Sequence, residues 1–159
     1  LENAVTNPSK AAPQWAQLLT DILFWIPTLR VAVGAPGANA RSIFLYIFDA
    51  VNPFPGTSSC GVANHGVNDL YLFNVAQDLV PAGSLEEFKR GVATVQRAWV
   101  DFCHGEKPWA SVRKERTEVA RRGPIMSFNN AEGGTSYDSI EEAVGKEWAR
   151  QWSAVLGSG

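Results

Sequence analysis

The chain of 159 residues has no excess of positive charge: 14 Lys and Arg stand against 16 Asp and Glu, a formal net charge of -2. A nucleic-acid or anionic-membrane partner needs a concentrated basic patch, so this balance argues against both. The one dense basic stretch, RKERTEVARR at 113–122, is broken by Glu115 and Glu118 and reads as a solvated helical face. No apolar run is long enough to cross a bilayer, so no membrane span is expected. No N-x-[ST] sequon occurs, because the near match at Asn7 has Pro8 in its middle. No signal-peptide pattern is visible. The sequence opens on Leu1 and not on Met, so the compartment stays open. There is no internal repeat and no linker that would set off a second domain. Cysteine is scarce: Cys60 and Cys103 fit one disulfide or two free thiols.

What is present is enough apolar sequence, 45%, to build the core of one domain or of one large piece of a domain. PQWAQLLTDILFWI at 13–26 carries Trp15, Leu18, Leu19, Ile22 and Ile26 at helical spacing and predicts an amphipathic helix. Pro27 is expected to end it, since proline lacks the N–H and restricts its predecessor. Residues 28–40 start helically and pass into a Gly/Pro loop. SIFLYIFDAV at 42–51 is a continuous branched and aromatic run, as in a strand buried on both faces of a parallel sheet. A turn-rich loop, NPFPGTSSCG at 52–61, then leads to His65.

A long helix is expected next. Ser84 and Glu87 fit a capping box, and Phe88, Val92, Val95, Trp99 and Phe102 form one apolar face. Gly105 suits its C-terminal stop, with His104 near that end. GPIMSF at 123–128 predicts a short strand, and NNAEGGTS at 129–136 a loop. A last helix over 139–152 carries a second capping box, Ser139 with Glu142, and an apolar line Ile140, Val144, Trp148. Helix, buried strand, histidine loop and helices describe part of an α/β fold. A strand that expects neighbours on both sides also makes the isolated chain an aggregation hazard.

The order of these pieces resembles the C-terminal part of the type-B carboxylesterases, the cholinesterase-like and lipase-like branch of the α/β-hydrolase fold. The residues that carry the resemblance are Thr20-Asp21, Pro27 and Arg30, then Tyr46, Phe48 and Asp49 on the strand. They continue with His65-Gly66, Tyr71 and Phe73, and with Trp99, Phe102, Gly105, Pro108 and Trp109. The match spans about residues 15–110, and the tail from 111 to 159 matches loosely. The resemblance implies an α/β class, with this chain as the C-terminal fragment of one hydrolase domain: one or two core strands flanked by helices. It also implies a small-molecule ester as substrate, no cofactor and no metal, and the N-terminal remainder of the same fold as partner.

Within that resemblance His65 corresponds to the histidine of the serine-hydrolase triad. Imidazole can take a proton from an attacking serine and return it to the leaving alcohol. Such a residue belongs on a loop beyond the C-terminal end of a sheet strand. Gly66 is expected to permit close backbone approach there. The nucleophile is missing, however. No G-x-S-x-G occurs, because Ser58 in GTSSCG is followed two residues later by Cys60. Asp49 and Asp69 are close in sequence, but in this family the triad acid arrives from another strand's loop. The chain alone is therefore expected to be inactive, without the serine and the oxyanion donors. Cys60, His65, Cys103 and His104 could ligate zinc, but their spacing matches no common zinc pattern. Cys60 with His65 as a nucleophile–base pair lacks an orienting third group. The alternative function is a cholinesterase-like binding or adhesion protein that kept the fold without catalysis.

Overall fold

Three strands form a mixed sheet in the order β1-β2-β3, with helices on both of its faces. The computed structural model describes residues 8–34, 42–112, 124–130 and 134–146. Strand β1 (Leu45–Phe48) runs parallel to β2 (Ile125–Phe128), with Leu45 opposite Ile125 and Phe48 opposite Phe128. β2 runs antiparallel to β3 (Thr135–Tyr137). The chain is thus roughly α/β, with three strands rather than one or two. β3 takes up Thr135 and Ser136, expected in a loop, because β2 offers an unpaired edge to the chain returning from it.

The predicted first helix begins earlier and continues further than its sequence suggests. Helix α1 (Pro8–Thr20) passes through a π-helical turn (Asp21–Trp25) into α2 (Ile26–Gly34). Pro27 therefore does not stop the helix. In the widened turn the Ile26 N–H donates to the Asp21 carbonyl, which places Pro27 in the first turn of α2. The apolar face divides at this point. Ile26 and Leu29 are buried, whereas Trp15, Leu19, Ile22, Leu23 and Phe24 remain 48–60% exposed.

Alternation along the strands sends side chains to two cores. On one face Leu45 and Ile125 join Leu29 and Ala32 of α2, Val112, and Ile140 of a short helix α5 (Ile140–Val144). On the other face Phe128 joins α3 (Val67–Leu72) and α4 (Ala82–Cys103) through Val67, Tyr71, Phe88, Val92 and Val95. Each such side chain, fully buried, stabilises the fold by about 1.5–3 kcal/mol. β1 is shorter than the run 42–51 and is an edge strand among the described residues, with Tyr46 exposed. Tyr46 lies edge-on to Trp99 and Trp109, at 5.1 and 6.3 Å between ring centroids.

Local signals at the helix ends meet different outcomes. The stripe on α4 is buried as expected from Phe88 to Val95, but Phe102 is exposed, with its ring edge-on to Phe44 at 6.0 Å. The Ser84–Glu87 capping box does not form. Pro81 takes the cap position with extended backbone, Ser84 lies inside the first turn, and its N–H donates to the Pro81 carbonyl. Glu87 instead accepts from Asn130 Nδ2. At the other end His104 is the C-cap and Gly105 turns left-handed at φ 81°. Gly105 and Glu106 N–H groups return to the Phe102 and Asp101 carbonyls, at 3.0 and 2.9 Å.

Ser139 does cap α5: its Oγ accepts from the Glu142 N–H at 3.1 Å, while Glu142 Oε2 accepts from the Asp138 N–H at 2.9 Å. Gly145, at φ 92°, ends α5, and positions 147–152 of the predicted helix lie outside the described residues. The basic stretch 113–122 also lies outside them. Among the described residues no helix is long and apolar enough to cross a membrane.

Candidate functional site

Where β1 ends, the chain is fastened before it turns into the loop that carries His65. The Asp49 and Ala50 N–H groups both donate to the Phe128 carbonyl at 2.8 Å. The Val51 N–H donates to Asn130 Oδ1 at 3.1 Å, and the Val51 carbonyl accepts from the Tyr71 hydroxyl at 3.2 Å. Asn130 is in turn held by Glu87 on α4. Burial, and then the charge of Glu87, push the Tyr71 phenol up to about 12, so it stays a hydrogen-bond donor.

Asn52, the next residue, closes the loop on itself. Its N–H donates to the Val62 carbonyl at 3.1 Å, and its carbonyl accepts from the Gly61 N–H at 2.9 Å. Its side-chain Oδ1 accepts from the Phe54 N–H at 2.9 Å, the turn that an Asn-Pro sequence favours. Its Nδ2 donates to Ser59 Oγ at 3.0 Å and Thr57 Oγ1 at 3.3 Å. The side chain is buried, so nearly all of its hydrogen-bonding capacity is met within the loop.

His65 emerges from this closed loop into solvent, immediately before α3. Its imidazole lies against the ring of Phe24 from the π-helical turn, with centroids 5.6 Å apart and planes tilted by 33°. Asn64 Nδ2 donates to the His65 carbonyl at 3.1 Å. Gly66 adopts φ 88°, and a Cβ there would meet nothing within 4 Å. The glycine is thus needed for its left-handed backbone and not for close approach.

The side chains that could serve His65 are engaged elsewhere. Asp49 Oδ2 accepts from the Ser127 hydroxyl at 2.9 Å, and Ser127 is buried under the sheet. Asp69 Oδ1 accepts from Asn68 Nδ2 at 2.8 Å. Burial, and then the Asp69 charge, push the Tyr46 phenol upward. Among the described residues no side chain hydrogen-bonds the imidazole. Cys60 and Cys103 are exposed free thiols. Among the described residues no group of three or more His, Cys, Asp or Glu is placed to hold a metal ion.

The site therefore holds one exposed imidazole, an apolar ring beside it and a buried amide that shapes its loop. Phe24 and Asn52 are the residues that the sequence left out of the site. Asn-Pro was the available signal for Asn52, whereas only the fold brings Phe24 to His65. No family model matches the chain, and no curated protein or solved structure matches it either.

Proposed function

We propose that this chain is the histidine-bearing part of a carboxylic ester hydrolase of the α/β-hydrolase type, with His65 as its general acid and base. The carrying observation is the placement of an exposed imidazole on a fastened loop beyond the C-terminal end of a parallel strand. In open α/β sheets that is where substrates meet the fold. In this reading the imidazole accepts the serine proton as the hydroxyl attacks the ester carbonyl. It then returns that proton to the leaving alcohol, and a water repeats the cycle on the acyl-enzyme. The serine, the acid and the oxyanion N–H groups come from sequence outside these residues. The edge of β1 that is unpaired among the described residues and the exposed apolar side chains of α1 and the π-helical turn support the expectation of further fold around them.

The alternative is a non-catalytic binding protein of the same descent. It is favoured by the absence, among the described residues, of a carboxylate bonded to the imidazole. Reading the gene upstream of Leu1 and expressing the whole frame separates the two. The hydrolase reading expects a G-x-S-x-G elbow and hydrolysis of p-nitrophenyl esters. It also expects a loss of about a thousandfold or more in kcat for His65→Ala. A frame without the elbow, or a His65→Ala protein of undiminished rate, refutes it. The 159-residue chain alone is expected to hydrolyse no ester.

A further inference from the structure

We propose that Asn52 is a positioning residue for His65, acting through the closure of the loop between them. It deepens the hydrolase reading, since it says what holds the base, but the geometry stands without it. Segment 51–71 is closed twice. The outer closure is the Tyr71 hydroxyl on the Val51 carbonyl, which ties the helix after His65 to the strand end before Asn52. The inner closure is Asn52 to Gly61 and Val62, tightened by the side-chain bonds to Phe54, Thr57 and Ser59. His65 lies between the two closures, so both of its flanks are set before its own side chain makes any contact.

The imidazole itself supplies almost nothing to its placement, because among the described residues its one ring contact is the apolar ring of Phe24. A side chain that no described residue hydrogen-bonds is held there only as well as its backbone is held. The Asn52 amide supplies both the acceptor and the donors that order the loop interior, and no other residue type offers the two at that length. Alanine would leave the Phe54 N–H without its acceptor. It would also leave Thr57 Oγ1 and Ser59 Oγ without their donor, so the inner closure keeps only its two backbone bonds, loosens, and lets His65 move off Phe24.

The test uses the full chain at low concentration and exploits its two histidines. Carbethoxylation by diethyl pyrocarbonate, located by mass spectrometry, gives the rate at His65 relative to His104, which caps α4 far along the sequence. The proposal expects Asn52→Ala to raise the His65 to His104 ratio severalfold, as the ring loses its cover from Phe24. The far-UV spectrum and the His104 rate should stay as in the parent. Asn52→Asp keeps the acceptor for the Phe54 N–H and loses the donors, so an intermediate ratio is expected. An unchanged ratio in Asn52→Ala overturns the proposal. Should Asn52→Ala unfold, seen as both histidines reacting at their rates in urea, the pair Thr57→Val with Ser59→Ala decides. A raised ratio there sustains the proposal and an unchanged one overturns it. Because this readout is not activity, a failure of the hydrolase reading, seen in the His65→Ala rate, is distinguishable from a failure here.

Discussion

Gly91 sits in the middle of α4, where helix propensity alone says that alanine should stabilise the chain by about 1 kcal/mol. The structure reverses the sign. A Cβ at Gly91 would lie 2.6 Å from Tyr71 Cε1 and 3.0 Å from its Cδ1, so the ring would have to move. The ring has little room. It is 1% exposed, stands 4.6 Å from Phe88 and 5.4 Å from Phe48 between centroids, and its hydroxyl is bonded to Val51. Overpacking of this kind costs about 1–3 kcal/mol. A stretched hydrogen bond to Val51 adds about 1 kcal/mol. Set against the propensity gain, Gly91→Ala is expected to destabilise the chain by about 1–3 kcal/mol. Urea unfolding at low protein concentration measures it as a fall in midpoint at constant slope. Tyr71→Leu removes the ring, so Gly91→Ala should cost far less in that background, and the double-mutant cycle isolates the contact. A stabilisation by Gly91→Ala in the parent chain would refute the packing argument, because then Tyr71 is not held where the geometry puts it.

Tyr71 also predicts an alkaline limit. Its phenol is raised from 10.0 to about 12 in the fold, so its stabilising contribution is fully present below pH 10 and is lost as pH rises toward 12. The loss should be about 3 kcal/mol. Tyr71→Phe should flatten that part of the pH–stability curve, and an equally steep fall in the variant would assign it to other groups. The two candidate capping serines should also behave differently in the same unfolding assay. Ser139→Ala removes the acceptor of the Glu142 N–H and should cost about 1 kcal/mol, whereas Ser84→Ala, inside the first turn of α4, should stay within about 0.5 kcal/mol. Equal losses at the two serines would contradict the assigned caps.

Short-range physics made a large part of this chain legible in its sequence. The apolar stripe of α4 from Phe88 to Val95, the left-handed stop at Gly105, the Ser139 cap and the strand at 125–128 all follow from spacing and backbone chemistry within a few residues. The same holds for the position of His65 on a loop after a strand.

What the tertiary structure alone decided depends on partners far away in the chain. Ser84 yields its cap because Pro81 is already extended, and Glu87 leaves the box for Asn130, 43 residues on. Pro27 is tolerated because a π-helical turn forms ahead of it, and three of the five residues on the apolar face predicted for the first helix stay in solvent because no described element covers them. Val51 finds Asn130 across 79 positions, and Phe24 finds His65 only because α2 packs on the sheet beside β1. Sequence periodicity records which face of an element is apolar, but it carries no information about which other element will meet that face.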